Sequence, residues 1–439
     1  MQGNKGISRP GSPRRRSFSQ KALEVESSGP LGEVLAGALT KSGESGYRLT
    51  HSFHPYPGRF HPGLPELILQ RVARPGQWIL DPFMGGGSTL VEALLQGLGA
   101  MGNDLNPVAR LVARERTRCR EPAEAAALQG EAARIAGLVE ALRNDRHPPR
   151  FTRRELGPLR KHYQPHLLAE LTQWIRLIED VKAFKVRETL RAVFSSAVVK
   201  FSNRASDSSQ EEQQTSYPKG AVTRFLTAKT GELAQAQREL ARRLPAGTPA
   251  VRFYQEDSRL LPSLHWGVVD HVITSPPYPG TYDYFEQHRL RMEWLGLDQE
   301  PFLKGEMGAR REGVGDSWSE SLRETMLALA RVVRPDGNVF IVLGDWLRDD
   351  HAVDGSAQLV RVAREKGWRL ESRASVRREI FSKVESKAYA RRGKWEHLLH
   401  LRRATAPAMS AVEEPPDPDG GGTPDAGNQK APPPRRGKR

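Results

Sequence analysis

The sequence predicts an α/β fold, a doubly wound and mostly parallel sheet with an antiparallel closing strand and a helical insertion. Three observations lead there. Short apolar runs alternate with amphipathic helices in two separate stretches, a long helical stretch divides them, and the apolar pattern ends in two consecutive strand-like segments.

In chain order, residues 1–46 are rich in Gly, Ser, Pro and Arg and lack a sustained apolar period, which predicts a disordered basic arm with one short apolar stretch at 31–39. From 47 to 113, QWIL (77–80) reads as a strand, DPFMGGGS as a turn, TLVEALLQGLG as an amphipathic helix ending on glycine, and AMGNDL (100–105) as a second strand. That βαβ unit implies parallel pairing. Residues 114–249 form the helical insertion, with helical periodicity in four pieces and a polar, turn-rich surface loop over 201–220. The α/β pattern resumes over 250–404. VRFYQ, WGVVDHVIT and NVFIVLGD read as strands, LRETMLALARVV as a helix ended by Pro335 and Gly337, SAQLVRVAREKGW as a helix, and WRLESRASVRREIF with WEHLLHLRR as the closing strand pair. Residues 405–439 have almost nothing to bury, which predicts a disordered tail.

The formal net charge is +15. Residues 1–50 carry +4 of it and 405–439 are neutral, so the remaining +11 falls on 51–404. A folded part this basic suits a polyanionic partner through phosphate contacts, although an Arg-rich soluble protein of another kind would share the composition. The single cysteine, Cys119, excludes an intramolecular disulfide framework and a CxxC zinc site. No apolar run approaches the roughly 20 residues of a membrane span. The expectation is a cytoplasmic protein with no membrane partner.

Two motifs carry chemistry. Asp81-Pro82-Phe83-Met84-Gly85-Gly86-Gly87-Ser88-Thr89 lies between a strand and a helix, where glycines let the backbone approach a ligand and the helix N-terminus offers free N–H groups. A tight turn of any α/β protein would also fit. No Gly-Lys-Ser/Thr follows, so this is no phosphate-cradling P-loop, and Leu90 stands where the third glycine of GxGxxG would fall. Asp104, 23 residues after Asp81, ends the next strand, where a doubly wound fold sets the acid that binds ribose hydroxyls. The second motif, Thr274-Ser275-Pro276-Pro277-Tyr278, ends another strand. Successive prolines lack N–H groups and present stiff carbonyl acceptors, and the tyrosine ring follows at once. An extruded base could donate its amino protons to Ser275 and the Pro276 carbonyl while stacking on Tyr278.

At these motifs the sequence resembles the DNA amino-methyltransferases, the cytosine-N4 and adenine-N6 enzymes, through their DPFxGxG and [DNS]PP[YFW] signatures. The resemblance extends to His54–Pro62, to Asp257 after the FYQ strand, and to GKWEHLLHLRR. It implies a Rossmann-like methyltransferase sheet formed by 47–113 and 250–404, S-adenosylmethionine as methyl donor, and no metal. It further implies Ser275, Pro276, Pro277 and Tyr278 as catalytic residues. The cofactor contacts it implies are Phe60, Asp81, Pro82, Phe83, Gly85, Gly87, Ser88, Thr89, Asp104, Asn106, Pro107 and Asp257. DNA is the implied substrate, with a cognate restriction or phage-defence nuclease as an expected partner and 114–249 as a candidate target-recognition region. Serine before Pro-Pro leans toward cytosine N4. Methylation at carbon 5 would need a thiolate, and Cys119 has no catalytic context. The alternatives are an RNA (tRNA) amino-methyltransferase and an inactive nucleic-acid-binding protein. Tyr282, Tyr284 and Phe285 read as residues around an extruded base or, for at least one, as core. His51, His54 and His61 lack ligand-type partners at metal spacing and read as loop histidines.

Overall fold

A computed structural model describes residues 24–41, 48–59, 61–145, 157, 159–206, 209–213, 216–279, 283–308, 316–380 and 382–404. The chain divides after Arg403, and every described element lies before that point. The expected tail at 405–439, and Phe60 and Tyr282 with it, lie outside the described residues.

Strand β1 (Val25–Ser28) and helix α1 (Gly32–Thr40) come first, then α2 (Gly63–Val72), β2 (Trp78–Asp81), α3 (Ser88–Leu95), β3 (Gly99–Asn103) and α4 (Pro107–Thr117). The insertion follows as α5 (Pro122–Asn144), α6 (Pro165–Glu179), α7 (Phe184–Lys200), a hairpin of β4 (Arg204–Ser206) and β5 (Ser209–Glu212), and α8 (Ala221–Arg243). Next come β6 (Arg252–Tyr254), β7 (Val269–Thr274), α9 (Tyr284–Leu295), α10 (Glu300–Gly305), α11 (Asp316–Val332) and β8 (Val333–Gly344). The chain continues through β9 (Trp346–Arg348), β10 (His351–Val353), α12 (Gly355–Glu365), β11 (Trp368–Arg378), α13 (Lys383–Ala388) and β12 (Lys394–Arg403).

Eight strands form one sheet in the order β1-β11-β12-β8-β7-β2-β3-β6. From β8 to β6 every pairing is parallel, and from β8 through β12 and β11 to β1 every pairing is antiparallel. The expected doubly wound sheet with an antiparallel closing element is thus present. Alternate side chains divide between the faces. Ile79, Ile273, Phe340, Val342 and Leu398 pack with Leu35, Ile68 and Leu90 of α1, α2 and α3. Leu80, Val272, Ile341, Leu399 and Leu401 pack with Leu322 and Met326 of α11 and Leu359 and Val362 of α12. All six residues of β7 are buried, as a parallel strand covered on both faces requires.

Three expectations need correction. Residues 24–41 of the supposed disordered arm are structured: β1 pairs with β11, and α1 buries Leu35, Ala38 and Leu39. The short apolar stretch at 31–39 was that helix, and its partners lie too far along the chain for local periodicity to reveal them. The surface loop at 201–220 contains the β4–β5 hairpin. Helix α11 passes directly into β8 at Val333, so Pro335 and Gly337 fall within the strand's first residues and not in a turn.

The insertion packs around Leu128, Ile135, Leu171, Trp174, Phe194, Leu226 and Leu233, a core that also takes in Phe53 and, from α9, Leu290, Trp294 and Leu295. Trp294 Nε1 donates to the Tyr163 hydroxyl at 2.9 Å. The helices are therefore built into the body that carries the sheet.

Candidate active site and cofactor cleft

From β2 the chain runs outward through β3 to β6, then returns to the other side of β2 as β7. Neighbouring parallel strands whose connections leave in opposite directions open a crevice at their carboxyl ends. Both motifs stand at that switch point. The glycine loop follows β2, the Pro-Pro loop follows β7, and Ile79 and Leu80 pair with His271 and Val272.

Asp81 ties the two loops from below. Its Oδ1 accepts the Thr274 hydroxyl at 2.7 Å and its Oδ2 accepts the Thr89 hydroxyl at 2.8 Å, while the Phe83 N–H reaches Oδ1 at 3.2 Å. The residue is 1% exposed, and burial pushes its carboxyl up to about 7 against these hydrogen bonds. Above it the backbone turns through positive φ at Gly85 (47°) and Gly87 (78°). A Cβ on Gly87 would stand 2.9 Å from the Ala113 Cβ, so the loop closes on α4 only with glycine there.

A cleft opens above the switch point. Its walls include Pro82, Phe83, Gly85, Asp104, Asn106, Asp257, Ser275 and Pro277. Two loops 190 residues apart thus face one space, as a joint site requires. Asp104 accepts the Gly85 N–H through Oδ2 and the Asn106 N–H through Oδ1, both at 2.9 Å, and burial lifts its carboxyl to about 6. Asn106 caps α4 by accepting the Val108 N–H, and its amide donates to the Tyr56 hydroxyl at 3.0 Å.

Other expected residues stand elsewhere. Asp81, Gly87, Ser88, Thr89 and Pro107 do not line the cleft; Ser88 and Thr89 are buried in the first turn of α3, and Pro107 opens α4. Asp257 lines it, but both its oxygens are held by the Arg259 guanidinium, with Nε at 2.9 Å from each. In the Pro-Pro motif, the Pro277 carbonyl accepts Trp318 Nε1–H at 2.9 Å. Pro276 is buried and, with Tyr278, lies outside the cleft walls. The Tyr278 hydroxyl donates to Glu396 Oε1 at 3.1 Å, and burial followed by the Glu396 charge pushes it well above the usual phenol range, against a hydrogen bond with Ser275.

Tyr56, within the His54–Pro62 segment of the resemblance, lines the cleft, and so do Asn103, Glu256, Phe302, Glu306 and Met307, which no motif singled out. Asn103 had a weak signal as a polar residue inside a strand: its amide donates to the Pro82 and Glu256 carbonyls and so joins three walls. Tyr284 lines the cleft, while Phe285 is core, packed with Met292 and Phe302.

His51 and His54 are not ordinary loop histidines. Both are buried, with Nε2 of His51 2.7 Å from Glu92 Oε1 and Nε2 of His54 3.1 Å from the Ser195 hydroxyl. Burial, reinforced by nearby arginines, holds both imidazoles well below their ordinary pKa. Asp345, Asp354 and His397 lie at ligand-like spacing, yet Asp345 is occupied by Gly355 and Trp395 amides, His397 and the Arg392 guanidinium. A resident guanidinium makes this an ion-pair network.

Residues 15–114 match the family model described as DNA methylase. The chain is 22% identical over 382 residues to the type II methyltransferase M.MjaII of Methanocaldococcus jannaschii, covering 67% of this chain and 72% of that protein. It is 37% identical over 79 residues to the type II methyltransferase M.MvaI of Kocuria varians, 17% of each. Among solved structures, the rRNA methyltransferase aviRa from Streptomyces viridochromogenes superposes with a TM-score of 0.33 at 13% identity, over 83% of this chain and 94% of that one.

Proposed function

We propose, from the premise that this chain belongs to the DNA amino-methyltransferase family and is an S-adenosylmethionine-dependent DNA methyltransferase, that it modifies the exocyclic amino group of a base, cytosine N4 in preference to adenine N6. One observation carries the reading: Ser275 and Pro277 share a single cleft with Gly85, Asp104 and Asn106.

The cleft fits the donor. Gly85 lies against Tyr56 so closely that a Cβ would stand 3.1 Å from its Cε1, which leaves bare backbone for a close approach. Each Asp104 oxygen accepts a single backbone amide, so each retains capacity for a ribose hydroxyl. Gly85, Asp104 and Asn106 would hold the donor's nucleoside part, with Pro82 and Phe83 as apolar walls. The donor, when bound, supplies an electrophilic sulfonium methyl group. Asp257 serves this scheme less directly, since Arg259 competes for both its oxygens.

An exocyclic amine is a poor nucleophile because its lone pair is delocalised into the ring. Ser275 and the Pro276 carbonyl would each accept one amino proton, drawing nitrogen toward tetrahedral geometry and freeing that pair. The Pro277 carbonyl is already occupied by Trp318, which leaves Pro276 as the motif's acceptor. Tyr278 offers the stacking face. Serine is too weak a base to keep the proton, which leaves to solvent after transfer; the site contributes positioning and electrostatics. A neutral hydroxyl in place of aspartate supports the lean to cytosine.

The 114–249 insertion is the proposed target-recognition region. Its support is that Arg204 of the β4–β5 hairpin donates to the Glu286 carbonyl at 3.1 Å, in the first turn of α9 beside cleft residue Tyr284. The type II names of both relatives support a restriction-modification setting with a cognate nuclease, and the cytoplasm belongs to the same proposal.

The test is to incubate the purified protein and labelled S-adenosylmethionine with plasmid DNA and to identify the modified nucleoside by mass spectrometry. N4-methylcytosine is the expected product. Label in tRNA and none in DNA would overturn the reading. Asp104→Ala should raise the donor's dissociation constant by on the order of 10- to 100-fold, since a ligand contact and the acceptor of two amides are lost together. Because hydroxyls donate to the ionised acid, donor affinity in the unmodified protein should fall as pH drops through about 6.

A further inference from the structure

Tyr278 is held from two sides by residues that face each other across paired strands. Gly344 on β8 and Glu396 on β12 are register partners. The tyrosine ring lies so close to Gly344 that a Cβ there would stand 3.0 Å from its Cε2 and 3.4 Å from its Cδ2. Its hydroxyl donates to Glu396 Oε1 at 3.1 Å. The second oxygen of that carboxylate accepts the Arg378 guanidinium from β11, with Nε at 2.9 Å. An ionised carboxylate accepts only, so the phenol must serve as donor, and Arg378 fixes where the acceptor stands. The ring is therefore pinned at its edge and at its tip.

We propose that Glu396, anchored by Arg378 and facing Gly344, is a positioning residue that sets the plane of the Tyr278 ring on which the target base stacks during methyl transfer. The proposal rests on the reading of the Ser-Pro-Pro-Tyr motif given above. Glu396 is not among the cleft walls, and its carboxylate acts on the reaction only through the tyrosine. Stacking on an aromatic face contributes on the order of 1–3 kcal/mol per base, and only when that face is correctly presented. A ring released at its hydroxyl would present the base in a spread of orientations and slow the transfer step.

The experiment is a double-mutant cycle on the full chain with plasmid DNA, using Glu396→Gln, Tyr278→Phe and the two combined. Glu396→Gln should lower kcat by about 10-fold while the donor's dissociation constant stays unchanged. In the Tyr278→Phe background, which lacks the hydroxyl, the same change should have no further effect. Equal losses in both backgrounds would overturn the proposal, because Glu396 would then act without the tyrosine. A second readout needs no turnover. Tyrosine ionisation followed by ultraviolet difference absorbance should gain a phenol titrating at lower pH in Glu396→Gln, and this phenol should be missing when Tyr278→Phe is added. Identical titrations before and after Glu396→Gln would overturn the contact itself. If the unmodified protein transfers no methyl group to DNA, the functional reading falls together with the stacking role, while the titration still reports on the contact alone.

Discussion

Asp81 sits beneath the cleft with its carboxylate shared between Thr274 and Thr89, so one buried acid sets the spacing of the two strands that carry the motifs. Its raised carboxyl group has a thermodynamic consequence. The folded protein keeps the proton up to about pH 7, whereas the ordinary value is 3.8, so the folded state binds more protons than the unfolded state between those limits. The contribution is fully present below 3.8 and is lost as pH rises through about 7. Each pH unit in that window should remove up to about 1.4 kcal/mol of stability on this account. Glu92, also lifted to about 7 by burial, adds to the same trend. Asp81→Asn should flatten the pH dependence of urea midpoints between those limits while leaving the Glu92 part. Unchanged slopes would show that Asp81 titrates normally.

At the scale of elements, the glycine loop and its helix work as one piece. Gly87 caps α3 at φ 78°, a conformation that costs an L-residue roughly 1–2 kcal/mol, and the Ala113 contact adds overlap. Gly87→Ala should lower stability by about 2–4 kcal/mol, seen as an earlier thermal transition, and should weaken donor binding in parallel. The motif makes this loop legible in the sequence, because its demands on the backbone are local. Helix α1 is the opposite case. Leu35 is fully buried against residues of α2, α3 and the sheet, yet its own segment is short and flanked by polar sequence. Leu35→Ala should cost about 2–5 kcal/mol, a loss expected of a core position and not of a disordered arm.

At the scale of the whole molecule, the +11 charge on residues 51–404 acts at long range. Affinity for DNA should fall steeply and linearly on a log–log plot against salt, by the release of counterions from neutralised phosphates. On the proposed donor site, whose contacts are hydrogen bonds inside the cleft, donor affinity should change little over the same range. Titration of both ligands at several salt concentrations checks this, and a donor affinity that fell equally would point to general destabilisation. The helical insertion shares its core with α9, the helix that leaves the Pro-Pro loop, so the two pack as one continuous unit.

The sequence by itself determined the central strands, many of the helices and the two motif loops, because strand alternation, helix periodicity and glycine turns depend on neighbours a few residues apart. It thereby identified Gly85, Asp104, Asn106, Asp257, Ser275 and Pro277, all of which line one cleft. Only the tertiary structure decided the rest. Phe302, Glu306 and Met307 reach that cleft from segments with no local signature, and Asp257 is paired with Arg259. Glu396 meets Tyr278 only because β12 enters the sheet antiparallel beside β8. Contacts of that kind follow from which strand ends become neighbours, a consequence of burying the whole apolar surface at once.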